Sequence, residues 1–216
     1  MIRDICAATG WVFLSQASLA FAHEPRIQGD ANNNDKAWGA IKGRIVLDGE
    51  VPPVKEVELD SLGLMPKDLE WFKSMGPVLN QEWVIDPKTK CIHWVYVWLV
   101  PAEKAGELNP HPSLLDLQEE KKLVVVDQEP SGYVPHAAGI QPGQGLLMRN
   151  QGPVGHVFNL VGFKNDPINR AMAAGSEIKV ESLKPENTPI QITCPPHPWE
   201  RMWLRSFDHP YFAISD

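Results

Sequence analysis

Apolar residues alternate with polar ones, or fill both faces, in a series of short runs separated by proline and glycine turns. The strongest run is Cys91 to Val100, where Ile92, Trp94, Tyr96, Trp98 and Val100 would share one face and Val95, Val97 and Leu99 the other. Because both faces are apolar, it reads as a central strand. Trp38 to Leu47 alternates and meets Asp48-Gly49-Glu50-Val51-Pro52-Pro53, a strand followed by a turn. Further strands are predicted at Lys122 to Gln128, Tyr133 to Ile140, Gly145 to Asn150, His156 to Val161, Ser176 to Glu181, Thr188 to Cys194 and Met202 to Phe207. Turn signals such as Gln141-Pro142-Gly143 and Asn165-Asp166-Pro167 lie between them. Residues 60 to 80 are less regular and read as an insertion, with Pro66 placed to start a short helix. Strands at this spacing imply an all-β sandwich or barrel.

Composition supports that reading, since 20 prolines and 16 glycines in 216 residues interrupt the chain too often for long helices. The formal net charge of −7, with no cluster of lysine or arginine, excludes nucleic acid as an expected partner. An acidic surface instead suits a basic or mixed-charge protein.

Ile5 to Leu14 is nearly all apolar, and Ala20-Phe21-Ala22 matches a small-x-small cleavage pattern, so residues 1–22 are expected to be a signal peptide. Residues 23–36, with Asn32-Asn33-Asn34-Asp35, read as a flexible leader, and 37–216 as a single domain. A periplasmic or secreted location follows, with no membrane span in the mature chain. Removal of Cys6 leaves Cys91 and Cys194, which in an oxidising compartment are candidates for one disulfide.

A second use of Cys194 competes with that bridge. The segment CPPHPWERM, residues 194 to 202, sets a thiol and an imidazole three positions apart just after a strand, where one ion can take both. His156, at the start of another predicted strand, is the expected second imidazole. A thiolate with two imidazoles is the ligand set of blue-copper electron carriers. His136, His209, His93 and His111 are read as structural.

The run from Val124 to Asp216 resembles the cupredoxins related to plastocyanin and amicyanin, and especially the plastocyanin-like domains of exported bacterial proteins labelled methylamine-utilisation proteins. The resemblance rests on VVVDQEPSGYVPHAAGIQPGQGLLMRNQGPVGHVFNL, CPPHPWE and FDHPYFAISD, and extends more weakly to GRIVLDGEVPP and WVYVWLVP. It implies a Greek-key sandwich, one copper ion cycling between Cu(I) and Cu(II), an unidentified redox partner protein rather than an enzyme's substrate, and His156, Cys194 and His197 as equatorial ligands. Such domains place methionine three positions after the second histidine, where this chain has Glu200, while Met202 lies at the longer plastocyanin spacing. Both are axial candidates, with Glu200 favoured. A hard carboxylate favours Cu(II) or zinc over Cu(I), so the reduction potential should fall or zinc should bind instead. Pro195 and Pro196 cannot donate an N–H to the cysteine sulfur, which leaves Val157 N–H as the expected donor. Ser131 stands where relatives often have cysteine, so Cys91 is expected to be a buried free thiol.

Overall fold

The computed structural model describes residues 39–101, 108–115 and 122–216. The expected signal peptide and leader lie outside the described residues. Eleven strands are defined among the described residues, with a nine-residue helix, a 3-10 turn and a helical stretch at residues 112–115. The described chain divides into two compact units.

The larger unit, Pro53–Gln81 with Leu114–Pro210, holds two sheets. One contains β2 (Leu123–Glu129), β3 (Gly132–Val134), β5 (Gly145–Asn150) and β8 (Glu177–Val180), in the order β3-β2-β5-β8. The other contains β4 (Ala137–Ile140), β6 (His156–Val161), β7 (Ile168–Met172), β9 (Ile190–Thr193) and β10 (Arg201–Ser206), in the order β4-β10-β9-β6-β7. Neighbours distant in sequence, such as the parallel pairs β2 with β5 and β4 with β10, give the Greek-key crossing of a two-sheet sandwich. The fold is all-β, as the alternating runs predict.

Alternation places the core. Val126, Leu146, Met148 and Ile178 from the first sheet meet Phe158, Leu160, Ile190, Ile192, Met202 and Leu204 from the second in one buried cluster. Each strand keeps its second face partly open, as in Ile190 to Thr193, where Ile190 and Ile192 are buried and Gln191 and Thr193 are not.

The insertion does carry a helix. Leu59–Ser61 forms the 3-10 turn, and α1 spans Pro66–Ser74. Pro66 opens α1, where its missing N–H would have had no helical partner anyway. Phe72, fully buried, forms a second apolar cluster with Leu59, Val78 and Val154, bordered by Trp71 and Trp199.

The smaller unit contains β1 (Tyr96–Trp98) paired antiparallel with β11 (Phe212–Ile214). Here two expectations need correction. Cys91 to Val100 is not one central strand: Trp94 sits at φ 68, in the left-handed region, which resets the alternation. Only Tyr96–Trp98 is laddered, Cys91 and Ile92 make isolated bridges, and Val100 is 72% exposed. Of the strand expected from Trp38 to Leu47, residues 39–47 make only a bridge between Val46 and Cys91, and Trp38 lies outside the described residues. Cys91 is buried and not disulfide-bonded, and Arg44 Nη2 lies 3.1 Å from its sulfur.

Two smaller corrections concern the sandwich. Tyr133 to Ile140 is split between the sheets as β3 and β4, because Pro135 cannot donate a ladder hydrogen bond. The strand β7 was missed, since its exposed Asn169, Arg170 and Ala171 give it no alternation.

At the β6–β7 turn the buried Glu186 carboxylate accepts from the backbone N–H groups of Phe163, Lys164 and Asn165 at 2.9 to 3.1 Å, and from Asn165 Nδ2 at 2.7 Å. Gly162 lies so close to Glu186 Oε1 that a Cβ there would collide with it. Burial pushes the Glu186 carboxyl up, but the N–H donors outweigh it and the net direction is down. A carboxyl lowered on folding stabilises above its unfolded value near 4.5 and loses that contribution as pH falls through the lower folded value. Glu186→Gln should therefore flatten the acid limb of a stability-versus-pH curve, and Glu186→Ala should cost roughly 1–3 kcal/mol in urea unfolding at pH 7.

Candidate metal centre

Three adjacent strands deliver the site by continuing their inward faces past the core. On β6 the inward set is His156, Phe158 and Leu160; along and beyond β9 it is Ile190, Ile192 and Cys194; approaching β10 it is Glu200, Met202 and Leu204. The apolar rows therefore end in an imidazole, a thiol and a carboxylate at one end of the sheet order β10-β9-β6. The antiparallel register puts Arg201 opposite Thr193, and its continuation sets Glu200 beside Cys194, whose N–H donates to Glu200 O at 3.1 Å.

His197 is returned to the cluster by the connecting loop. His197 N–H donates to Cys194 O and Glu200 N–H to His197 O, both at 2.9 Å, so two successive turns close the loop. Pro195, Pro196 and Pro198 are exposed on its outside.

His156, Cys194, His197 and Glu200 are all buried, and one ligand atom from each lies within 4.8 Å of the others. The two Nδ1 atoms are 3.0 Å apart, and Cys194 Sγ is 3.8 Å from that of His156 and 3.5 Å from that of His197. Glu200 Oε2 is 3.0 Å from His156 Nδ1 and 3.3 Å from His197 Nδ1. A tetrahedral ion bound at about 2.0 Å to nitrogen and about 2.3 Å to sulfur requires separations of about 3.3 Å between nitrogens and about 3.6 Å from sulfur to nitrogen. The two sulfur–nitrogen edges bracket their value, and the nitrogen–nitrogen edge is about 0.3 Å shorter than the tetrahedral one. Four buried groups that can each offer one ligand atom converge on one point, an arrangement that suits a cation.

The electrostatics agree. Burial, followed by the Glu200 charge, pushes the Cys194 thiol up to about 12, while N–H groups of Val157 and His197 act in the opposite direction. Val157 N–H lies 3.4 Å from the sulfur, so the expected donor is present. Burial also pushes the Glu200 carboxyl up, and the two histidines reverse that, leaving it below its ordinary value. Two anions thus share a dry space unless the thiol holds its proton, and a divalent ion taking that proton's place would balance both.

Met202 shares the inward parity of Glu200 but sits two residues further along β10, opposite Ile192 and fully buried in the apolar cluster. The Glu200 carboxylate reaches the other three groups. His136 is buried outside the cluster, and burial pushes it down to about 4.

Two residues that the sequence did not single out complete the surroundings. Gln128, at the inward end of β2 in the opposite sheet and 3% exposed, donates its amide N–H to Glu200 Oε2. On the other side, Phe72 of α1 packs edge-on against the His197 ring at a centroid distance of 4.9 Å, and Trp199 lies 5.4 Å from the same ring. Trp199 Nε1 also donates to Pro130 O at 3.3 Å, which ties the loop to the β2–β3 turn. No helix among the described residues is long and apolar enough to cross a membrane.

No family model matches this chain, and no curated protein matches it. Solved structures do. A copper(I) mutant of amicyanin is similar over 39% of this chain and 81% of its own, at 16% identity and a TM-score of 0.35. A purple cupredoxin from Nitrosopumilus maritimus is similar over 38% of this chain and 98% of its own, at 15% identity and a TM-score of 0.33. A copper-containing nitrite reductase from Thermus scotoductus is similar over 50% of this chain and 25% of its own, at 17% identity and a TM-score of 0.35.

Proposed function

We propose that this chain is a mononuclear copper protein of the cupredoxin type that transfers single electrons, with His156, Cys194, His197 and Glu200 as its ligands. The observation that carries the reading is the convergence of those four buried groups within 4.8 Å. Bound copper would supply the one-electron couple between Cu(I) and Cu(II). The chain's own contribution is to hold one nitrogen, one sulfur and one oxygen at strand ends and the second nitrogen on a loop closed by two successive turns, so that little rearrangement accompanies a change of charge. Exported, as its first 22 residues suggest, it would act in the periplasm or outside the cell. Its net charge of −7 suits a redox partner with a basic docking face.

Zinc is the second reading, favoured by Glu200. With thiolate and carboxylate both bound, a divalent ion gives a neutral buried site, whereas Cu(I) leaves one net negative charge. That difference lowers the potential of a copper site and makes a non-redox dication an acceptable occupant.

Titration of the full chain with copper(II) under a visible spectrometer tests the first reading: intense thiolate-to-copper charge transfer is expected at one equivalent. A colourless protein that retains one zinc through dialysis would overturn it in favour of the second. Met202→Leu separates the axial candidates. Replacing one core side chain by another of similar volume should cost less than about 1.5 kcal/mol and leave the spectrum unchanged. A shifted charge-transfer band in that variant would make the thioether a ligand.

A further inference from the structure

Helix α1 belongs to the insertion rather than to either sheet, yet two of its residues border His197. Asp68 and Phe72 are one helical turn apart and so share a face. Phe72 lies against the His197 ring, and Asp68 Oδ2 is 3.8 Å from His197 Nε2. The His197 side chain is 1% exposed, and its Nε2 has no hydrogen-bond partner. A buried ring N–H without an acceptor is costly, and Asp68 supplies the nearby carboxylate, which reaches hydrogen-bond distance by closing about 0.6–1 Å.

We propose that Asp68 is the positioning residue for His197: it accepts the Nε2–H, which fixes the tautomer that leaves Nδ1 free to bind the metal. The proposal rests on His197 being a ligand. The donor set fits the role, because Nδ1 is the atom turned toward Cys194, His156 and Glu200. A carboxylate on the far nitrogen fixes ring orientation and raises ligand basicity. Phe72 prevents bulk water from taking the same place. The insertion thereby becomes part of the metal centre, setting both the orientation and the donor strength of one ligand from outside the sandwich.

The test uses the full chain with Asp68→Ala, Asp68→Asn and Asp68→Glu, and Asp60→Ala as a control. Asp60 is an exposed acid paired with Lys73 of the same helix. Zinc affinity is read by competition with a chromophoric chelator, and the His197 tautomer by long-range nitrogen–proton NMR on the metal-free chain at pH 8. Asp68→Ala should weaken zinc roughly 10- to 100-fold and depopulate the Nε2–H tautomer. Asp68→Asn, which keeps the shape, should lie between, Asp68→Glu should recover most of the loss, and Asp60→Ala should change neither readout. In the copper-loaded chain, the potential of Asp68→Ala should move upward, since a less basic imidazole and a missing negative charge both disfavour Cu(II). Unchanged affinity and tautomer would overturn the proposal alone, as would a loss of affinity matched by Asp60→Ala. A wild-type chain that takes up neither zinc nor copper would remove the reading beneath it as well.

Discussion

Cys194→Ser should abolish the charge-transfer absorption of the copper-loaded chain and weaken metal binding by more than about 100-fold, while leaving the fold intact. Changes to groups that only touch a ligand already cost 10- to 100-fold in affinity, so loss of a direct ligand must exceed that range. Serine keeps the size of the side chain but cannot become an anion at neutral pH, so the site loses one of its two negative charges and its only soft donor. The metal-free fold should feel little. In that state burial holds Cys194 as a neutral thiol, and a hydroxyl in the same place can donate to a neighbouring carboxylate or imidazole. Isothermal titration with copper(II) and zinc(II), beside thermal melts without metal, separates the two effects. If the variant retained wild-type affinity, sulfur would not be a ligand and the blue-copper reading would end there.

The route from sequence to this site can be followed strand by strand. Period-2 alternation located β5, β6, β9 and β10 and, with them, the direction in which His156, Cys194 and Glu200 face. Local spacing did the rest for His197, because three residues after Cys194 is the separation that a turn closes. Gln128 also left a trace, as a polar residue ending an otherwise apolar inward set of Val124 and Val126, though only the opposed sheet gives it Glu200 to bond. Asp68 and Phe72 left none: their contact with His197 spans more than a hundred residues and depends on how the insertion folds back. The failure at Cys91 to Val100 has a different cause. Apolar side chains on both faces express a need for burial, which a strand meets equally well beside many neighbours or one, and the left-handed turn at Trp94 has no signature in hydrophobicity.

Glu200→Met replaces the one feature that departs from the ligand pattern the resemblance implies, and its effects should be large and of opposite sign for the two metal charges. The carboxylate brings the site's second anion, held in place by the Gln128 amide and by both imidazoles. Without it, the thiolate alone balances Cu(I), whereas Cu(II) and zinc each leave an uncompensated positive charge in a buried space. Affinity for Cu(I) should rise, zinc affinity should fall by at least tenfold, and the reduction potential should move upward, as expected when a soft donor replaces a hard one. Gln128 would lose its acceptor, so part of the gain would be offset by an unsatisfied buried amide unless Gln128→Leu accompanies the change. The pair of variants therefore predicts an order: potential and metal-free stability both highest in Glu200→Met with Gln128→Leu, potential lowest in wild type. Spectroelectrochemical titration and thermal melts read the two quantities independently. A potential unmoved by Glu200→Met would mean that the carboxylate stands beside the ion without binding it, and the neutral-site argument for zinc would fail with it.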